Sequence, residues 1–170
     1  MFTACNHKQQ SGNIFIEQKD SILVTYFHGA VNTTVAIKCE DLAILQAQHR
    51  RNHEFHPDLD TFIVDSAVVH KIIKLLDYRK PAADFSGDAR MYATIKQKNG
   101  KIDHLCFDNF PNRVKFNGES CSMDKELRFL LRYYSGYYSW FEKFYLDDFE
   151  ELKNPVYYQK VLEQIKLRKK

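Results

Sequence analysis

The chain has 170 residues, of which 44% are hydrophobic and 28% are charged, and its formal net charge is +3. A chain of this length buries about 70% of the surface that its unfolded form exposes, so it can hold a core without disulfides or metal ions. No apolar run approaches the roughly 20 residues that a membrane-spanning helix needs. Basic and acidic residues alternate along the sequence, whereas a nucleic-acid-binding domain usually shows a basic stripe.

The N-terminal segment carries Phe2-Thr3-Ala4-Cys5, in which small residues precede a cysteine. This pattern resembles the lipobox of bacterial lipoproteins, and the polar residues 6–12 resemble the tether that follows it. The resemblance implies a lipid-modified Cys5, an anchor in a bacterial cell envelope and an oxidising environment for the other cysteines. It requires a preceding signal peptide with a basic start and an apolar stretch; without one, we expect a cytoplasmic protein. We expect residues 1–12 to be flexible and residues 13–170 to form one domain.

The first half of the folded region predicts strands and two helices. Short runs of β-branched and other apolar residues predict strands at 14–16, 22–27 and 33–38. Asp41 can serve as the N-cap of a helix over residues 41–52. Ser66 can cap a second helix over residues 66–79, which stops at the following Lys-Pro pair.

Residues 90–107 predict a β-hairpin. Asn99-Gly100 is a preferred pair for a two-residue type I′ turn, because both central positions of that turn need a positive φ. Such a turn pairs Ala93 with Cys106 and Ile95 with His104. The predicted core face of the hairpin then carries Met91, Ala93, Ile95, Ile102 and Cys106. A further strand at 113–116 is closed by a second Asn-Gly pair.

An aromatic-rich helix over residues 124–144 is the most informative element of the sequence. Its buried stripe is predicted to contain Leu127, Leu130, Leu131, Tyr134, Tyr138 and Phe141. Gly136, in the middle, indicates a close backbone approach or a break. A last helix is predicted over residues 155–168. The predicted fold is therefore α+β, an antiparallel sheet of five to seven strands packed on one face by the aromatic-rich helix.

A second face of the aromatic-rich helix supports the leading functional hypothesis. It carries four large rings, at Tyr133, Tyr137, Trp140 and Phe144. Tyrosine and tryptophan combine a large apolar area with a polar group and are frequent binding hot spots. Since the chain contains no catalytic, P-loop or dinucleotide-binding motif, we predict a non-enzymatic protein without a cofactor that binds a protein, peptide or glycan through this face. The competing interpretation is that both faces of the helix are buried.

A histidine cluster supports an alternative hypothesis, a metal-dependent hydrolase. His49, His53 and His56 follow the spacing H-x3-H-x2-H, and Asp58 or Asp60 could complete the ligand set. Imidazoles one helical turn apart can bind zinc or another transition metal. The competing interpretation is a solvated helix end, where histidine suits the helix dipole. A nucleic-acid-associated protein is a third hypothesis.

The cysteines form no zinc-binding motif. Cys39 and Cys106 lie in apolar runs and are predicted to be buried like small hydrophobic residues. The sequence leaves open whether any two cysteines form a disulfide.

Overall fold

The computed structural model describes residues 19–27, 36–52, 59–82, 87–107 and 113–168. Within these ranges the fold is α+β, as predicted, with seven antiparallel strands and four α-helices. In chain order they are β1 (Ser21–Tyr26), α1 (Cys39–Arg51), β2 (Asp60–Ile63), α2 (Ser66–Leu76), β3 (Lys80–Pro81), β4 (Met91–Lys96), β5 (Ile102–Phe107), β6 (Arg113–Phe116), β7 (Glu119–Ser122), α3 (Lys125–Tyr134) and α4 (Pro155–Arg168). No helix in the described ranges is long and apolar enough to cross a membrane.

The strands form one sheet in the order β2-β1-β4-β5-β6-β7-β3. The main core lies on one face of the sheet, where α2, α3, α4 and the segments between α3 and α4 pack. The opposite face is covered near its middle by α1, through a smaller cluster around Cys39 and Leu42. The strand predicted at 14–16 lies outside the described residues. Residues 36–38, which end the strand predicted at 33–38, are not strand and lead directly into α1.

The first two helices occur where they were predicted, with different caps. α1 begins at Cys39, so Asp41 is its third residue and its Oδ2 accepts a hydrogen bond from the Lys38 backbone N–H at 2.9 Å. This is the hydrogen bond of a capping box in which the side chain of the third helical residue accepts from the backbone N–H of the N-cap residue. α2 is capped by Asp65, whose Oδ1 accepts from the N–H of the second and third residues of the helix, and it ends at Leu76.

The β4–β5 hairpin is closed by a three-residue loop, so the predicted two-residue turn is wrong. The Gly100 N–H donates to the Gln97 carbonyl at 2.9 Å, and the Gln97 N–H donates to the Lys101 carbonyl at 2.9 Å. Gly100 alone takes a positive φ, of 86°. This pattern is a type I turn followed by a left-handed glycine. The type I′ turn occurs instead at Asn117-Gly118, with φ values of 50° and 89°, between β6 and β7.

The longer loop shifts the hairpin pairing by one residue. Ala93 pairs with Leu105, and Tyr92 pairs with Cys106. Because side chains alternate along a strand, a one-residue shift exchanges the two faces of β5. Leu105 and Phe107 therefore enter the main core, while Cys106 faces α1. The prediction that Cys106 and Ile102 share the main-core face is wrong for this reason, and Ile102 is exposed.

The aromatic-rich region is helical, but it is not one helix. α3 starts after Asp124, whose Oδ1 accepts from the Glu126 N–H at 2.6 Å, and it ends at Tyr134. Gly136 then takes a φ of 76°, which ends the α-helical path. The chain continues through three short 3₁₀ helices, Tyr137–Trp140, Lys143–Asp148 and Glu150–Lys153. Gly136 thus marks a break, and rings on either side of it do not share a helical face.

Four polar side chains are fully buried between α3 and the last 3₁₀ helix. Glu151 Oε1 accepts from Arg132 Nη1 at 2.5 Å and from the Tyr138 hydroxyl at 2.7 Å. Glu151 Oε2 lies 3.7 Å from Arg128 Nη1, and no member of the cluster is more than 1% exposed. Burial alone would raise the pKa of Glu151, but the two arginines and the Tyr138 hydrogen bond outweigh it and hold this pKa below its ordinary value.

Candidate functional site

The four predicted contact rings do not form one surface. Tyr137 is only 1% exposed, so it belongs to the core and cannot contact a partner. Tyr133 is half-buried and stacks on Phe129 with ring centroids 5.3 Å apart. Trp140 donates its Nε1–H to the Tyr26 hydroxyl at 3.0 Å, and a guanidinium of α4 lies over its ring. Phe144 is the most exposed of the four, at 61%. One of the four rings is therefore buried, two are partly covered and one is exposed, and the binding role predicted for them stays a prediction.

Of the predicted metal ligands, His49 and Asp60 lie within the described residues. His49 sits buried in the last turn of α1, with Nδ1 2.6 Å from Oδ2 of the buried Asp60. His53, His56 and Asp58, and the lipidation candidate Cys5, lie outside the described residues. In the described part of the chain, no group of three His, Cys, Asp or Glu side chains could hold a metal ion. The hydrolase hypothesis stays a prediction.

A chain of buried hydrogen bonds runs from Asp60 across the sheet beneath α1. Asp60 Oδ1 accepts from the Thr25 hydroxyl at 2.6 Å, and Gln46 Nε2 donates to the same hydroxyl oxygen at 3.0 Å. The Thr94 hydroxyl donates to Gln46 Oε1 at 2.5 Å. His104 Nδ1 lies 3.3 Å from the Thr94 oxygen. Since the single Thr94 proton goes to Gln46, neutral His104 donates its Nδ1–H and keeps Nε2 as an acceptor.

His104 lies in a groove of about 420 Å³ between the N-terminal turn of α1 and strands β4–β6. The strand register builds its floor, because Tyr92, Cys106 and Lys115 stand side by side in one row across three strands. His104 is one row further along, and its ring stacks against Tyr92 with centroids 5.7 Å apart and planes 26° apart. Glu40, in the first turn of α1, also lines the groove.

A disulfide forms the wall of the groove. Cys39, the first residue of α1, is bonded to Cys106 on β5, with the two Cα atoms 5.8 Å apart. Both cysteines are buried, as the sequence predicted. The bond ties α1 to the sheet beside Tyr92 and His104. Cys121 is a free thiol buried in the main core, on the other face of the sheet.

The electrostatic setting keeps the stacked pair neutral. Burial raises the pKa of Tyr92, and the nearby Glu40 carboxylate raises it further. Burial lowers the pKa of His104, and Arg50 acts in the same direction against the opposing Asp103. Near neutral pH the floor of the groove is therefore an uncharged phenol stacked on an uncharged imidazole. Charge enters at the rim, where Lys115 Nζ lies 3.9 Å from Glu40 Oε1.

Sequence reasoning missed this groove because its residues are far apart in the chain. The one available signal was the hairpin register, since burying Leu105 and Phe107 places His104 and Cys106 on the opposite face. The arrangement offers stacking and hydrogen-bonding groups in a concave site. No protein-family model, curated protein or solved structure matches this chain.

Proposed function

We propose that this chain is a non-enzymatic binding protein that holds a small planar ligand in the groove beside the Cys39–Cys106 disulfide. The observation that carries the proposal is the half-buried Tyr92–His104 stack on the floor of a concave site of about 420 Å³. Small-molecule sites are typically concave, span roughly 300–1,000 Å³, and combine aromatic walls with a few polar groups. A ring-bearing ligand would extend the stack that these two side chains begin.

The groove is also rigid, which favours binding. Asn117 Oδ1 accepts from the His104 backbone N–H at 2.7 Å, and Asn117 Nδ2 donates to Asp103 Oδ1 at 2.9 Å. Thr94 holds the imidazole from the other side, and the disulfide holds α1. A ligand that enters a preformed site loses less affinity to ordering of side chains.

The location that fits this proposal is outside the cytoplasm. Structural disulfides persist in oxidising compartments and are rare in reducing ones, so the Cys39–Cys106 bond supports export. Together with the lipobox-like segment at Cys5, it supports a lipoprotein of a bacterial cell envelope. We expect cells that express the protein from its native gene, with any preceding signal peptide included, to label it when they are fed an alkyne-bearing palmitate, and we expect Cys5→Ser to abolish the label. An unlabelled wild-type protein would contradict the anchor.

Fragment binding followed by amide NMR tests the groove. We expect at least one of p-cresol, tyramine and 4-hydroxybenzoate to cause saturable shift changes around Tyr92, His104 and Lys115. Tyr92→Leu should abolish them, because it removes the ring and keeps apolar bulk. The matched control is Tyr145→Leu, at an exposed tyrosine of the aromatic-rich region, which should leave the binding intact.

Two results would overturn this assignment. One is the absence of saturable shifts in the groove with all three fragments. The other is shift changes that cluster around Phe144 and Tyr145, whose exposed rings lie 3.9 Å apart. That result would transfer the binding function to the aromatic region predicted from the sequence. Amide mapping on the wild-type protein gives this answer even if Tyr92→Leu fails to fold.

A further inference from the structure

The rim of the groove carries two opposite charges that are only loosely engaged with each other. Lys115 Nζ and Glu40 Oε1 are 3.9 Å apart, which is the outer limit of an ion pair. Their side chains are 30% and 68% exposed. Pairs of this kind contribute little stability because water screens them. Both groups are therefore available to a ligand at small cost.

These charges stand beside the aromatic floor. Lys115 is in the same row of side chains as Tyr92, and Glu40 is close enough to raise the pKa of the Tyr92 hydroxyl. Asp103, next to His104 on β5, lies on the opposite face of the sheet because side chains alternate, and it is engaged by Lys101 at 3.0 Å and by Asn117 at 2.9 Å. Arg50 acts on His104. Among the described residues that line the groove, Lys115 is thus the cation and Glu40 the anion that stand next to the stacking surface.

Resting on the proposed function, we infer that the ligand is a free aromatic α-amino acid. Its ring would stack on Tyr92, its carboxylate would pair with Lys115, and its ammonium would pair with Glu40. This arrangement replaces one long ion pair by two charge-assisted contacts, so charge complementarity favours a zwitterion over a ring with a single charge. A neutral floor suits this ligand because it adds no competing charge beside the ring.

Titration calorimetry with three related compounds tests the inference. L-phenylalanine carries both charges, 3-phenylpropanoate lacks the ammonium, and phenethylamine lacks the carboxylate. We expect L-phenylalanine to bind roughly three- to tenfold more tightly than either analogue, since each charged contact adds modestly at an exposed rim. Amide shifts must place all three compounds at Tyr92 and His104.

Matched variants separate the two charges. Lys115→Met keeps the aliphatic stem and should weaken L-phenylalanine to the level of phenethylamine, without changing phenethylamine itself. Glu40→Gln should weaken L-phenylalanine to the level of 3-phenylpropanoate, without changing the affinity for 3-phenylpropanoate itself. Lys74→Met, at an exposed lysine of α2 on the main-core side of the sheet, should change none of these affinities.

The outcomes distinguish this inference from the proposed function. Equal affinities of all three compounds in the groove would overturn the zwitterion and leave the ring-binding groove standing. The zwitterion would also be overturned, and the ring-binding groove left standing, if neither Lys115→Met nor Glu40→Gln changed the order of the three affinities. No binding of any of these compounds or of the neutral p-cresol in the groove would overturn both.

Discussion

Replacing Glu151 with glutamine should lower the free energy of unfolding by about 3 to 5 kcal/mol. Glutamine keeps the size of the side chain and an acceptor oxygen for the Tyr138 hydroxyl, but it removes the charge. Arg128 and Arg132 would then be two guanidinium groups in the core without their shared carboxylate. An uncompensated buried charge costs far more than a lost surface pair, so urea or thermal unfolding should show the effect clearly.

Two comparisons make the test specific. Glu150→Gln changes the adjacent glutamate, which pairs at the surface with Lys125 and Lys153, and should leave stability nearly unchanged. A triple variant, Arg128→Met with Arg132→Met and Glu151→Leu, removes all three charges together. It should recover most of the loss, because buried ion clusters can often be replaced by apolar residues of similar volume. Wild-type stability of Glu151→Gln would contradict this account of the core.

The same cluster predicts a loss of stability in acid. The pKa of Glu151 is lower in the folded protein than its ordinary value, so folding favours the ionised carboxylate. The resulting stability is present above the pKa of an unfolded glutamate, about 4.3, and is lost as the pH falls through the lower folded pKa. Glu151→Gln should lack this part of the pH dependence, and its stability should fall less steeply below about pH 4.

Removing the disulfide should have an effect of similar size. Cys39→Ala combined with Cys106→Ala should lower the free energy of unfolding by about 4 kcal/mol, because the bond closes a loop with a sequence separation of 67 residues. The cross-link restricts the unfolded chain, so its loss stabilises the unfolded state. Since both cysteines line the groove, the double variant should also bind ring fragments less tightly.

Wild-type protein provides the control for this experiment. A reducing agent should lower its stability to that of the double variant and should not affect the variant. Cys121→Ala removes the buried free thiol and should preserve the response to the reducing agent. Mass spectrometry of a non-reduced digest should detect a peptide pair joined through Cys39 and Cys106. Absence of this pair in protein purified without reductant would contradict both the bond and the location inferred from it.

The sequence predicted the fold class because local signals and the required burial agreed over most of the chain. They disagreed in the β4–β5 hairpin, where Asn99-Gly100 favours a two-residue turn. That turn would place His104 and Cys106 against the main core and turn Leu105 and Phe107 away from it. Burial of Leu105 and Phe107 stabilises the fold more than the preferred two-residue turn would, so a longer loop forms. The second Asn-Gly pair faces no such conflict, and it takes the expected turn.

The candidate site could not be predicted from local sequence patterns, because it depends on how distant segments pack together. Glu40, Tyr92 and Lys115 belong to three different elements. The pairing of β4, β5 and β6 brings Tyr92 and Lys115 together, and the packing of α1 on the sheet, through the Cys39–Cys106 disulfide, adds Glu40. The aromatic hypothesis depended on one continuous helix. Gly136 ends α3, and burial of Tyr137 then follows from how the next segment packs on the sheet. The sequence marked this glycine as a break or a close approach, but tertiary packing decides between the two.

The two-residue strand β3 at one margin of the sheet has a consequence for self-assembly. Pro81 lacks the N–H that an incoming strand would need, and the strand is too short to template another chain. Even if two copies paired through β2, the strand at the opposite margin, each copy would still end in β3 at its outer margin. The assembly would therefore stop at a dimer. Among the described strands, the β3 margin therefore opposes the addition of further strands from other copies.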